Sequence, residues 1–194
     1  LADRERQLDE RSSHYLRNIS EAALSAGQLV DDLLAFSQLG RATLAKTRVD
    51  MNKLVEEVRR SIEPDHAGRI VQWNIESLPP AWGDGSLIRQ ALANLMENAV
   101  KYSRDSDPAI IAVSGQREGD ESVYRVRDNG VGFEMEYVHK LFGVFQRLHR
   151  AEEFPGTGIG LALTKRIITR HGGTVQAEGA PGKGATFTMR LPIG

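Results

Sequence analysis

The sequence predicts a two-layer α/β sandwich with a mixed, mostly antiparallel sheet, preceded by a long helical arm. Residues 8–44 contain no proline and set Leu16, Ile19, Ala23, Ala26, Val30 and Leu33 in three- and four-residue steps, the heptad pattern of a long helix. Beyond them helical and strand-like runs are interleaved, yet strands also follow strands directly, which argues against a doubly wound parallel sheet. The clearest such pair, Ala109 to Ser114 and Ser122 to Arg127, flanks the charged turn Glu118-Gly119-Asp120 and reads as a hairpin.

Leu29, Leu34 and Phe36 widen the apolar stripe of the arm beyond a two-stranded seam and suit a helix in a bundle. The arm is therefore expected to form a homodimer, the alternative being an amphipathic helix folded onto its own domain. Asp50 is a cap candidate ahead of Leu54, Val55 and Val58, in a segment that stops at Pro64. Arg69 to Glu76 reads as a strand, Pro79-Pro80 breaks it, and Asp84 is the next cap candidate after Ala81-Trp82. The hairpin and a loop region follow, then a helix from Leu161 to Arg170 that Gly172-Gly173 ends. Thr174 to Ala177 and Ala185 to Leu191 close the chain as strands around a glycine-rich turn. The chain thus divides into an arm, residues 1–46, and an α/β domain, residues 47–194.

In the 194 residues, 25 basic and 26 acidic side chains leave a formal charge of -1, so no general pull toward nucleic acid or anionic lipid is expected. The absence of cysteine removes disulfides, thiolate metal sites and cysteine nucleophiles together, and agrees with a reducing compartment. No apolar run approaches the roughly 20 residues needed to span a bilayer. We expect a soluble, cytoplasmic chain without direct membrane contact, and its start at Leu1 reads as an excerpt of a longer protein.

The stretch NLMENAVKYS, residues 94–103, is helical in pattern but carries two faces. Asn94, Glu97, Asn98 and Lys101 share one stripe, while Ile88, Leu92, Leu95 and Ala99 share another roughly 130° away. Three loops add glycine: RDNGVGF (127–133), PGTGIGLAL (155–163) and EGAPGKGATF (178–187). Each is a tight turn on the simplest reading, and each would also let backbone amides approach phosphate oxygens. The second opens a helix, where free amides and the helix dipole favour an anion. A Walker-type loop is excluded because Gly182-Lys183 is followed by Gly184 and preceded at the required spacing by Ala177. The G-x-G-x-G spacing of Gly156, Gly158 and Gly160 likewise fails the dinucleotide fingerprint. Asp128, at a strand end before Asn129-Gly130, is either a turn former or, beside the polar helix face, a carboxylate that accepts from the exocyclic amine of adenine.

These segments resemble the motifs of the GHKL ATPases, and within them the ATP-binding domain of bacterial sensor histidine kinases. NLMENAVKYS is similar to that family's N box, RDNGVGF to its first glycine box, LFGVFQRLH to its phenylalanine box, and GTGIGLAL and EGAPGKGATF to its later glycine boxes. They occur in the family's order across roughly residues 70–192. The arm ending LVDDLLAFSQLGR, followed by VDMNKLVEEV, resembles the second helix of the dimerisation and phosphotransfer domain, and FQRLHRAEEFPGTGIGLA is similar to phytochrome- or PAS-linked kinases.

The resemblance implies a Bergerat-type ATP-binding fold over residues 47–194, with ATP and Mg2+ as cofactors. It assigns Asn98 to magnesium with Asn94 beside it, Lys101 to phosphate, Tyr102 to ribose or base, and Asp128 to adenine with Thr186 supporting it through water. Gly130 and Gly132 would admit the base. Gly156, Thr157, Gly158, Gly160 and Leu161 would form the lid end that approaches the phosphates. Arg147 would stabilise the transferring phosphoryl group, with Glu97 ordering the metal site; otherwise Glu97 and Lys101 are a surface i,i+4 pair. The partners implied are a second copy of the chain and a response-regulator receiver domain.

The family's phosphoacceptor lies in a motif like H-[DE]-L-R-x-P. His14 opens HYLRN, which lacks the acidic neighbour and the proline; His149, in the lid, reads as exposed or else as touching nucleotide, and His66, His139 and His171 read as surface or capping residues. The acceptor is therefore expected outside this chain. The rival readings are a non-catalytic ATP-binding regulatory module and a serine-directed kinase of the anti-sigma type, which fits the arm poorly.

Overall fold

Asp50 and Asp84 start the two helices that carry the core. The Asp50 carboxylate accepts from the amides of Asn52 and Lys53 and begins α2, Met51–Ile62. That of Asp84 accepts from Ser86 and Leu87 and begins α3, Gly85–Tyr102. Each cap satisfies amides that would otherwise lack partners, typically about 1 kcal/mol. The computed structural model describes residues 10–39, 43–66, 68–150 and 153–194.

The remaining elements are α1 (Glu10–Gln38), β1 (Thr47–Val49), β2 (Val71–Ile75), β3 (Ala81–Gly83), β4 (Ala109–Glu118), β5 (Glu121–Asp128), α4 (Gly160–Arg170), β6 (Thr174–Gly179) and β7 (Ala185–Pro192), with 3₁₀ turns at Glu63–His66 and Met135–Lys140. Five strands form one sheet in the order β2-β4-β5-β7-β6, and β1 pairs with β3 in a separate ribbon. Only β2 and β4 run parallel, as their crossover through α3 requires; the other pairs are antiparallel. The expected hairpin closes between Glu118 and Glu121, with Gly119 at a φ of 59°.

Helices α2, α3 and α4 cover one face of the sheet, and the core lies between the layers. Ile88, Leu92, Leu95 and Val100 of α3 meet Ile167 and Ile168 of α4 and Ile111, Val126 and Met189 of the sheet, all fully or almost fully buried. Burial of such side chains contributes about 1.5–3 kcal/mol each and sets α3 against the sheet, which orients its opposite stripe outward to a groove.

His171, expected to be a surface or capping residue, is a buried cap. Its Nε2 accepts from the Asp84 amide at 2.9 Å and its Nδ1 meets the Ile167 carbonyl at 2.8 Å. One neutral ring therefore ties the end of α4 to the start of α3, and Gly83 leaves room for it, since a Cβ there would sit 2.6 Å from the imidazole.

The arm differs from expectation in extent and in its faces. Helix α1 ends at Gln38 rather than Leu44; positions 8, 9 and 40–42 of the expected helix lie outside the described residues. Leu39 is buried in the domain core, and Ala45 donates its amide to Asp84, drawing the chain into the unforeseen β1–β3 ribbon. Leu29 and Phe36 do not widen the heptad stripe. They pack on the domain core, whereas Leu16, Ile19, Val30, Leu33 and Leu34 are exposed. The two sets lie on faces of the helix about 110° apart.

Candidate functional site

Two adjoining cavities open between α3 and the chain that runs from residue 141 into α4. The larger, about 390 Å³, is polar: Asn94, Glu97, Asn98 and Lys101 form one wall, and Arg147, Gly156, Thr157, Gly158, Gly160 and Leu161 form the other. The smaller, about 50 Å³, is mainly apolar and is lined by Asp128, Gly132, Phe133, Leu148, His149, Ala185 and Phe187. Tyr102, Leu141, Gln146, Arg147 and Leu161 line both, so the two are ends of one groove.

The polar end is built for an anion. Helix α4 starts at Gly160 without a side-chain cap, so its first amides face the cavity unclaimed by a carboxylate or hydroxyl cap. Asn94 donates from Nδ2 to the Gly160 carbonyl at 3.1 Å and clamps this helix start to α3. Burial, and then the neighbouring Arg147 guanidinium, push the Lys101 ammonium down to about 8, while Glu97 acts in the opposite direction. A cationic side chain kept short of counter-charge in a groove gains most from an incoming phosphate.

The apolar end carries a buried carboxylate. Asp128 is 4% exposed, and its Oδ1 accepts from the amides of Gly130 at 2.8 Å and Ala185 at 3.2 Å. Desolvation raises its pKa, and the two amides pull the other way without cancelling it. The first and third glycine loops are zipped together to hold it: Gly182 donates to Val131 at 2.7 Å and Gly184 to Gly130 at 2.9 Å. Gly184 has a φ of 77°, and a Cβ there would lie 2.0 Å from the Asp128 carbonyl oxygen.

The segment over the groove is pinned by Arg147, which donates from Nη1 to Gly156 O at 2.8 Å and from Nη2 to Phe154 O. Phe154 is buried against Tyr102 and His149, with ring centroids 5.0 Å and 5.3 Å away, and His149 Nε2 meets the Gly132 carbonyl at 3.0 Å. Phe145 takes a φ of 62° where its amide donates to the Gly158 carbonyl.

Most residues marked by the sequence come together here, but two do not line the groove. Gly130 packs on the end of α3, where a Cβ would lie 2.2 Å from the Tyr102 carbonyl oxygen, behind the residues that line the cavities. Thr186 pairs with Arg127 and Glu178, on the opposite face of β7 from Ala185 and Phe187. The place beside Asp128 belongs to Ala185, so Thr186 does not touch it. His149 is half-buried in the ring cluster rather than a surface residue.

Sequence reasoning also missed Asp32 of α1, which lines the polar cavity, and Phe133 and Phe187 at the apolar end. The signal for Asp32 was its place in the series Leu29, Asp32, Phe36, Leu39, one acid on an otherwise apolar helix face. Among the described residues no group of three or more His, Cys, Asp or Glu could hold a metal by itself. No described helix is long and apolar enough to cross a membrane.

A carboxylate at the apolar end of a groove and carboxamides, cations and an open helix start at the polar end fit a purine nucleotide, and known proteins share the plan. The chain is 32% identical over 166 residues to the phytochrome-like protein Cph1 of Synechocystis sp., covering 86% of this chain and 22% of that protein. It is 32% identical over 195 residues to the circadian input-output histidine kinase CikA of Synechococcus elongatus, covering 95% of this chain and 26% of that one. The chain thus spans about a quarter of the length of these relatives. Full-length ShkA, solved in complex with AMPPNP, superimposes with a TM-score of 0.74 at 28% identity, over 96% of this chain and 40% of that chain. Residues 83–194, which contain α3, all three glycine loops and α4, match the histidine kinase-, DNA gyrase B-, and HSP90-like ATPases, and the chain belongs to that family as a catalytic domain of the histidine-kinase type.

Proposed function

We propose that this chain binds magnesium ATP in the groove and transfers its γ-phosphoryl group to a histidine on a dimerisation domain, for relay to a response-regulator aspartate. The observation that carries the reading is the pairing of a buried Asp128 carboxylate with an uncapped α4 start at the two ends of one groove. Asp128 would accept from the adenine amine, and Tyr102 and Leu161, shared by both cavities, would flank the nucleoside. Lys101 and the α4 amides would hold phosphate. Arg147 would stabilise charge on the transferring group once the lid closes, because phosphoryl transfer depends on positioning and charge more than on covalent help.

The donor set fits magnesium bridged to phosphate: the Asn98 and Asn94 carboxamides with Glu97 supply hard oxygens on one wall of the polar cavity. The ion would screen the triphosphate while these side chains orient it. The exposed heptad stripe of α1 supports pairing with a second copy, and the division at residue 46 separates that arm from the catalytic domain. A cytoplasmic setting agrees with such a substrate. His14 lies on α1, but its side chain is outside the described residues and its sequence setting does not fit the acceptor motif.

Incubation with radiolabelled ATP, magnesium and a separate helix bearing an acceptor histidine tests the reading. Acid-labile phosphohistidine is the expected product; magnesium-dependent binding without transfer would instead leave a nucleotide-gated regulatory module.

A further inference from the structure

The half of α1 nearest the domain presents Leu29, Asp32 and Phe36 on one face, and Leu39 follows directly after the helix. Leu39 enters the core, Leu29 and Phe36 pack against it, and the Arg166 guanidinium of α4 lies 4.4 Å from the Phe36 ring centre. Asp32 is the exception in this apolar series. A carboxylate brought to an apolar contact is costly unless it is hydrogen-bonded, and this one accepts from the Thr157 hydroxyl at 2.6 Å through Oδ2. Thr157 belongs to the glycine loop at the open start of α4, and Asp32 itself lines the polar cavity with Lys101 and Arg147. An acidic side chain from the arm therefore already stands at the place where the groove is built to receive an anion.

We propose that docking of α1 and binding of a nucleoside triphosphate exclude one another, with the Asp32 carboxylate acting as an internal competitor of the phosphates. The inference rests on the nucleotide reading of the groove and adds its regulation. A triphosphate entering the polar end meets a like charge and loses the Thr157 hydroxyl to it, so binding requires the arm to swing away or Asp32 to give up its bond. Coupling is reciprocal: nucleotide loosens the arm by the same factor by which the docked arm weakens nucleotide. A signal that turns or shifts α1 would then set nucleotide affinity through the Asp32–Thr157 contact.

Calorimetry with magnesium ATP and with adenosine tests this on the whole chain. Asp32→Asn keeps the side-chain size and removes the charge; ATP should bind about five- to tenfold tighter while adenosine affinity stays the same. Phe36→Ala loosens docking without touching the cavity and should also tighten ATP binding. In the unsubstituted chain, saturating magnesium ATP should speed amide exchange over residues 29–38, the reverse of ordinary ligand protection. If ATP binds in an Asp128-dependent way but Asp32→Asn binds it equally or more weakly, Asp32 is neutral or a metal ligand and the competition is overturned while the nucleotide reading stands. Slowed or unchanged exchange of α1 overturns it as well. If neither the unsubstituted chain nor Asp32→Asn binds ATP, both readings fall together.

Discussion

The carboxylate of Asp128 and the amide of Ala185 are 3.2 Å apart, and the same oxygen, Oδ1, also takes the Gly130 amide at 2.8 Å. Both backbone donors fall on one oxygen, so a ligand's amine would be met by Oδ2. The position of a recognition group is thus fixed by two loops that are 57 residues apart in sequence.

Replacing Asp128 with Asn should separate binding from stability. Burial raises the carboxyl pKa in the folded state, so the ionised form is what folding disfavours: its stability contribution is full below the unfolded carboxylate value and is lost as pH rises through the raised one. At pH 7 Asp128→Asn should therefore melt no lower than the unsubstituted chain, yet bind ATP at least about tenfold more weakly. Scanning calorimetry and titration calorimetry on the same preparation check both halves.

Lys101→Met should weaken ATP binding about tenfold and leave adenosine binding nearly unchanged. Lys101 is held at about 8, below the ordinary lysine value, so folding disfavours its charged form. The associated stability is full above the unfolded lysine value and is lost as pH falls through about 8, and Lys101→Met should accordingly raise the melting temperature at pH 7. In the unsubstituted chain ATP affinity should drop as pH rises from 7 to 9, as Lys101 loses its proton at about 8, and Lys101→Arg should flatten that drop.

Arg147 staples the lid through the carbonyls of Phe154 and Gly156. Arg147→Lys keeps the charge but loses the planar fork, so amide exchange over residues 153–158 should rise in the nucleotide-free protein. Phosphotransfer to an added acceptor helix should fall in kcat more than in KM.

His171→Ala removes the acceptor of the Asp84 amide and opens a cavity beside Gly83. Urea unfolding should show a loss of about 1–3 kcal/mol, with ATP affinity of the folded protein unchanged.

The exposed heptad stripe gives an oligomer test. Ile19→Glu with Val30→Glu places charge on the exposed seam, away from the domain-facing side of α1, and sedimentation should shift from dimer toward monomer without change in the far-UV spectrum of the domain.

Local chemistry explains what the sequence alone determined. Caps at Asp50 and Asp84, the two faces of α3, the Gly119 hairpin and the motif order are set by neighbours a few residues apart, and they identified the family, the sheet type and most of the groove. Side-chain alternation along β7 depends on register with β5, and that register gave Ala185 rather than Thr186 the place beside Asp128. The glycine loops looked alike in sequence, but packing divided their work: the second faces the polar cavity, while the first and third bind each other to carry Asp128. His171 became a buried tie and Asp32 an occupant of the polar cavity because helices distant in sequence meet there. Periodicity names the faces of a helix, and only the three-dimensional packing of α1 against α4 decides which face meets the domain and which is left exposed.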